Sequence, residues 1–278
     1  MKFKNYLQLD EVLLTFGRKR PRFNQVIVLA GGAGSGKGFV IDNLLGVDAK
    51  VMDVDQIKGK IIHPGTPKLN KKIMDKYGID VTKMDLRKPA EVAKLHQIND
   101  EMGISKKVQD LFFKDLERLS KKEMLPNVVF DSTAKSEKKI KEIIDTTSAA
   151  GYKEENMHLV WVINDVEIAK AQNLQRDRVV PEDILVQTHE LVAANISSLL
   201  KNNKLDKYFG GDIYFVFNKK YVDSAVGATK SGGFYVKEAL IVKVKEKGKR
   251  SKSYGEISDE FIKKIRKYIP KNVKDLWN

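Results

Sequence analysis

The run Gly31-Gly32-Ala33-Gly34-Ser35-Gly36-Lys37-Gly38 has the residue types that a phosphate-binding loop needs. Glycines admit left-handed backbone and close approach to a ligand. Successive N–H groups and a helix N-terminus then face the anion, and a lysine adds a mobile point charge. The run follows the apolar stretch QVIVLA at 25–30 and opens a helical stretch, the strand–loop–helix context of a P-loop. Gly32, Ala33, Gly34, Ser35, Gly36, Lys37, Gly38 and Phe39 are therefore the expected nucleotide-binding residues, with Lys37 at the terminal phosphates. ATP is the expected cofactor. One departure stands out. The Ser or Thr that commonly follows the lysine and ligates magnesium is replaced by Gly38, and the next residue is Phe39.

Carboxylates and arginines downstream could work with such a loop. Asp53 and Asp55 close the stretch KVMDVD, and alternating strand positions share a face if the strand persists that far. Both are candidate substrate-binding residues. Asp55 is the candidate base for an acceptor hydroxyl, with Lys58 steadying the acceptor. The competing reading makes Asp55 a helix cap. Asp131 ends NVVFDST in the manner of a Walker B strand, whose carboxylate holds Mg2+ or its water, and Thr133 adds a hydroxyl beside it. Arg176 and Arg178 precede Val179-Val180-Pro181 and are candidate lid cations over the phosphates. Surface ion pairs with Asp177 or Glu182 are the competing reading. His63, His96, His158 and His189 have no metal-ligand spacing and are read as structural or exposed.

The elements that must position these residues alternate. Short apolar strands are expected at 25–30, at KVMDVD, at NVVFDST, at MHLVWVI and at DIYFVFN, with helices between them. Such alternation specifies a parallel sheet covered on both faces. Helices are expected from about Gly36 to Leu45, in two clear runs within 56–126, at 134–149, and on both sides of Pro181. Ser105 and Asn164 or Asp165 are the expected caps. FYVKEALIVKVK reads as one or two late strands, KEKGKRSKSYG as an exposed linker, and ISDEFIKKIRKYI as a short amphipathic helix. The expected organisation is a basic N-terminal extension at 1–24, a core at 25–220 with a mostly helical insertion at 56–126, and a basic C-terminal extension at 221–278.

Composition narrows the classes. The chain has 278 residues and no cysteine, which removes disulfides, thiolate zinc sites and cysteine nucleophiles. No apolar run reaches the roughly 18 residues of a membrane helix. MKFKNYLQLDEVLL has no apolar signal-peptide core, so a cytoplasmic protein without membrane contact is expected. The net charge of +14 is concentrated at the ends. Residues 1–24 hold 6 basic and 2 acidic residues, and 230–278 hold 14 and 6, which leaves the middle nearly neutral. Basic ends can bind nucleic acid. The competing reading is a solvated lysine-rich surface, because few aromatics are interleaved for base stacking.

Taken together, GGAGSGKG, VMDVDQIK, VVFDST and AGYKEENMHLVWVINDVEIAKAQNLQRDRVVP resemble P-loop kinases of the zeta-toxin and polynucleotide-kinase-like group, over roughly residues 25–218. The resemblance implies a nucleoside-monophosphate-kinase-like P-loop fold with a five-stranded parallel sheet. It implies ATP-dependent phosphoryl transfer, with Asp55 activating the acceptor hydroxyl and Arg176 and Arg178 as lid residues. The Lys37-Gly38 pair is similar to adenylate-kinase-like loops, in which the metal is held largely through water. The expected partners are ATP and a hydroxyl-bearing small molecule that is nucleotide-like or a sugar nucleotide. A polynucleotide 5′-kinase is one alternative. An NTP-regulated nucleic-acid-binding or interaction protein is another.

Overall fold

A computed structural model describes residues 14–17, 23–62, 66–120, 125–217, 225–228, 234–238, 240–246 and 249–250. Five strands run parallel. They are β1 (Val26–Ala30), β2 (Lys50–Asp53), β3 (Val128–Asp131), β4 (Met157–Ile163) and β5 (Ile213–Phe217), in the spatial order β2-β3-β1-β4-β5. The sheet does not stop at the five expected strands. β8 (Leu240–Glu246) adds antiparallel to β5, and the two-residue β9 (Lys249–Arg250) adds to β8. The reason is visible in β5, which is apolar along its whole length and would otherwise present an open edge. β6 (Ala225–Ala228) and β7 (Phe234–Glu238) pair with each other in a separate ribbon. β7 and β8 are thus the late strands expected in FYVKEALIVKVK.

Period-two alternation sorts each parallel strand into two cores. Ile27, Leu29, Val129, Val160, Val162, Tyr214 and Val216 face one side, where Val40 and Leu44 of the helix after β1 cover them. That helix is α1 (Lys37–Asn43). Leu14 and Phe16 complete this face, 2% and 1% exposed, and Leu14 bridges Leu45. So part of the expected N-terminal extension packs into the core. Val26, Val28, Phe130, Leu159, Trp161, Ile163, Phe215 and Phe217 face the opposite side and the larger core.

That larger core is covered by helices, of which the two clear runs in the insertion, the helix after β3 and the one after Pro181 lie where the sequence pattern places them. α2 (Val54–Ile62), α3 (Pro67–Tyr77), α4 (Pro89–Glu101) and α5 (Ile104–Ser120) form the helical insertion. Ser105 lies inside α5 rather than capping it, and its hydroxyl donates to Asn99 Oδ1 at 2.9 Å. α6 (Glu137–Ala149) starts at a true Ser136 cap and ends before Gly151, whose φ of 97° only glycine adopts without strain. α7 (Val166–Leu174) is capped by Asp165, which accepts from the Glu167 and Ile168 N–H groups. α8 (Glu182–Lys201) and α9 (Lys204–Tyr208) complete the helices. Among the described residues, no helix is long and apolar enough to cross a membrane.

This topology places the carboxyl ends of β1, β2 and β3 side by side. The chain leaves β1 for β2 on one flank and later returns to place β4 on the other. An open α/β sheet binds ligands at such a switch, outside the strand ends.

Candidate active site

β1 ends at Ala30 and α1 begins at Lys37, so the six residues between them form a tight loop at the switch point. Two backbone positions depend on glycine. Gly34 has φ 71° and Gly36 has φ 91°. Space restricts two more. A side chain on Gly31 would meet Ser35 Oγ at 2.6 Å and the Val162 carbonyl at 2.9 Å. One on Gly32 would meet the His189 ring at 2.3 Å.

The carbonyls from Gly31 to Gly34 are each engaged by a donor. Lys37 Nζ donates to Gly31 O at 2.9 Å and to Gly32 O at 3.2 Å. His189 Nε2 lies 2.7 Å from Ala33 O. Asn164 Nδ2 donates to Gly34 O at 3.3 Å. A carbonyl oxygen carries partial negative charge, so donors bound to it lessen its repulsion of an anion at the loop. Gly38 differs from the other loop glycines, since no atom would lie within 4 Å of a side chain there. Steric crowding does not account for the missing Ser or Thr. Phe39 packs partly against the α1 core face, and its carbonyl accepts from Asn43 Nδ2 at 2.9 Å.

The carboxylates gather beside the loop through register. β2 pairs with β3 so that Asp53 stands opposite Asp131, and β1 pairs with β3 so that Leu29 stands opposite Asp131. Leu29 faces α1, so both aspartates share the α1 side of the sheet. Lys37 Nζ lies 3.7 Å from Asp131 Oδ1, and both side chains are mostly buried, at 14% and 15% exposed. Thr133 lies in the loop after β3. The Ala134 carbonyl of that loop accepts from Asn195 of α8 at 2.8 Å.

β2 ends at Asp53 and α2 starts at Val54, so Asp55 stands in a helical first turn and not on a prolonged strand. The face that a longer strand would share between Asp53 and Asp55 does not arise. The side chains of Asp55 and Lys58 lie outside the described residues, as does His63.

Arg176 and Arg178 follow the end of α7 in an irregular segment, which frees them from the roughly 200° divergence of such neighbours on a regular helix. Arg176 is exposed and Arg178 half-buried. Asp177 pairs with Arg87 at 3.5 Å, and Glu182 pairs with Lys170 at 2.9 Å. The segment is pinned at its far end. Asn173 donates to Val180 O at 2.7 Å and accepts from Val180 N–H at 3.0 Å, both buried. Val179 N–H donates to Leu86 O in the insertion at 2.9 Å. Val180 packs with Ala169, Leu185 and Ala33 in a small apolar cluster. The arginine segment and the glycine-rich loop therefore share packing.

The residues that reading the sequence missed come from α8. Thr188 Oγ1 accepts from Ala33 N–H at 3.3 Å, and the adjacent His189 takes the Ala33 carbonyl. A carbonyl only accepts, so Nε2 of His189 carries the proton. Burial is the largest influence and holds this imidazole below its ordinary range; the hydrogen bond to the Ala33 carbonyl opposes it, and the nearby positive Lys37 adds a smaller downward push. The spacing of Thr188 and His189 marks only a buried helix face and gives no sign of which loop that face meets. His158 lies at the other end of the sheet, at the start of β4.

Among the described residues no cluster of three His, Asp or Glu side chains is arranged to hold a metal. Two registered carboxylates next to a lysine suit a Mg2+ ion that arrives with phosphates, since that ion keeps several waters and needs only one or two protein carboxylates.

No family model matches this chain, and no curated protein matches it. Solved structures give distant likenesses. One is a chain of the AvrRxo1-ORF1:ORF2 complex in its native form, with 16% identity and a TM-score of 0.44 over 85% of this chain. This chain spans 62% of that one. The same complex with ATP gives 15% and 0.44, over 91% of this chain and 75% of that one. A chain from the PezAT chromosomal toxin–antitoxin system of Streptococcus pneumoniae gives 15% and 0.41, over 70% and 67%.

Proposed function

We propose that the chain is an ATP-dependent kinase that transfers the γ-phosphoryl group to a hydroxyl of a small nucleotide-like or sugar-nucleotide acceptor. The observation that carries this reading is the arrangement of Lys37. Its ammonium sits between the glycine-rich loop and Asp131, while the carbonyls from Gly31 to Gly34 are all engaged. A nucleotide's phosphates would meet the loop N–H groups and the remaining Lys37 donor capacity. Asp131, with Asp53 beside it, would hold Mg2+, which when bound neutralises charge on the phosphoryl oxygens.

In the reaction the acceptor oxygen forms a bond to the γ-phosphorus, the bond to the β,γ-bridging oxygen breaks, and ADP leaves. The hydroxyl proton passes to the Asp55 carboxylate. Lys58 and Thr133 steady the acceptor, and Arg176 and Arg178 offset the charge on the transferring group. Catalysis of this kind is mainly positioning and charge stabilisation.

The test is ATP consumption by the purified chain against a set of hydroxyl acceptors, with nucleosides, nucleotide sugars and 5′-hydroxyl oligonucleotides in separate arms. Turnover with a small acceptor supports the reading. Turnover only with oligonucleotides transfers the assignment to polynucleotide 5′-kinase. ATP binding without consumption in any arm favours a nucleotide-regulated binding protein.

A further inference from the structure

We propose that His189 is a positioning residue for nucleotide binding: from α8, and together with Thr188, it fixes the glycine-rich loop in its phosphate-receiving shape by holding Ala33. The proposal rests on the reading that this loop takes the phosphates of ATP. Four observations carry it.

The Ala33 residue is held at both of its backbone polar groups by consecutive residues of α8. Its N–H donates to the Thr188 hydroxyl and its carbonyl accepts from His189 Nε2. The Thr188 hydroxyl is itself oriented, because it donates to Leu185 O at 2.8 Å. The His189 ring also fills the space over Gly32, where three ring atoms lie 2.3–2.6 Å from any added side-chain carbon. The imidazole thus accounts for a glycine at 32 that no left-handed φ demands. Finally, α8 is a rigid reference. It spans 20 residues and buries Leu185, Val192, Ile196 and Leu200. Further along the same helix, Asn195 holds the loop that carries Thr133. One helix therefore sets the spacing of two loops at the strand ends. Support of this type decides whether donors meet a phosphate at hydrogen-bond distance.

A histidine that only filled space would affect stability and leave the ATP affinity of the folded protein unchanged. The experiment uses the full chain with His189→Gln, His189→Asn and His189→Leu. ATP with Mg2+ is titrated calorimetrically well below each melting temperature, and circular dichroism confirms folding. The Gln amide can reach the Ala33 carbonyl, the Asn amide falls short, and Leu has no donor. We expect His189→Gln to stay within about threefold of wild-type affinity, and the other two to weaken it about tenfold or more, the effect of losing one buried donor. Should His189→Leu fail to fold, the comparison of Gln with Asn decides. Equal affinities across wild type and the folded variants overturn the proposal and leave the kinase reading standing. A wild-type chain that binds no ATP removes both.

Discussion

At the mouth of the loop the Lys37 ammonium already bridges two carbonyls and lies close to a carboxylate, so its charge is offset before any ligand arrives. Lys37→Ala removes the cation that ties the loop to Asp131. Turnover should fall by at least about a hundredfold, the scale for losing one preorganised charge donor. The melting temperature should fall as well, because Lys37 is mostly buried and its loss takes a donor from the Gly31 and Gly32 carbonyls, so turnover is compared at temperatures where the variant is folded. A folded variant with near-normal turnover would leave the loop without a phosphate role. Asp55 is tested differently. Its backbone lies in the first turn of α2, where a carboxylate can cap a helix or accept a proton. Asp55→Asn keeps the shape and loses the base. If Asp55 is the base, kcat should drop about 10²–10⁴-fold with ATP affinity nearly unchanged. A drop below about tenfold assigns it to capping.

The elements act through short polar ties between loops. Asn173 is the clearest, since it pairs with both polar groups of Val180 and folds the Arg176–Arg178 segment back toward the Ala33 cluster. Asn173→Leu leaves a buried N–H and a buried carbonyl unpaired, at about 1–3 kcal/mol each. Unfolding free energy should fall accordingly in denaturant titrations. Turnover should fall by at least tenfold at temperatures where the variant is folded. A destabilised variant with full turnover would show that the arginine segment plays no part in the chemistry. Such ties also explain what could be foreseen. The loop from Gly31 to Gly38, the strand-terminal Asp131 and the strand–helix alternation follow from local pattern, so they are legible in the sequence. Asp53 beside Asp131 depends on register between β2 and β3, and His189 against Gly32 depends on how α8 crosses the loop. Neither is encoded by nearby spacing. β8 is legible as a strand, but its antiparallel place beside β5 is not, because pairing partners are set by the tertiary fold.

Across the whole molecule, the end of the sheet opposite the site is closed by a buried polar network. The His158 ring, wholly buried, accepts from the Asp212 N–H at 2.7 Å through Nδ1, and its Nε2 is 2.7 Å from Gln25 Oε1. Nδ1 therefore carries no proton, and its 3.2 Å approach to Asp212 Oδ2 is not an ion pair. Asp212 Oδ2 instead accepts from Gly17 N–H at 2.7 Å, which ties the N-terminal segment to β5. Burial is the largest influence on His158 and lowers its affinity for protons, with Lys245 adding to it and Asp212 opposing. A histidine lowered on folding stabilises above the ordinary value of 6.5 and loses that contribution as pH falls through its folded value. Unfolding free energy should thus decline from about pH 6.5 downward. The slope contributed by this one group approaches, at most, about 1.4 kcal/mol per pH unit. His158→Asn retains an acceptor near Nδ1 and cannot charge, so its pH profile should be flatter by that amount. Equal slopes would place the acid sensitivity elsewhere.

Two truncations separate the fold from the acceptor. Removing residues 240–278 takes away β8, with Val242 and Val244 buried at 3% and 0% and Lys245 donating to Phe209 O at 2.8 Å. Burial of two such side chains is worth about 3–6 kcal/mol, against a total stability of about 5–15 kcal/mol for a domain. The cut also bares the apolar edge of β5, so this chain should aggregate or unfold. Removing only 247–278 keeps β8 and gives up the two residues of β9. That shorter deletion should leave a folded core that binds ATP, measurable by calorimetry and thermal melting. It also removes ten basic and four acidic residues, including Lys247, Lys249, Arg250 and Lys252. If the acceptor is a small nucleotide at the strand ends, turnover should remain within a few-fold of the full chain. If the acceptor is a nucleic-acid end, affinity should drop and the dependence of log K on log salt should flatten by about 0.7–0.9 for each phosphate that the shortened chain no longer neutralises. A 247–278 deletion that cannot fold contradicts both branches, because β5 would then need more than β8 to cover it.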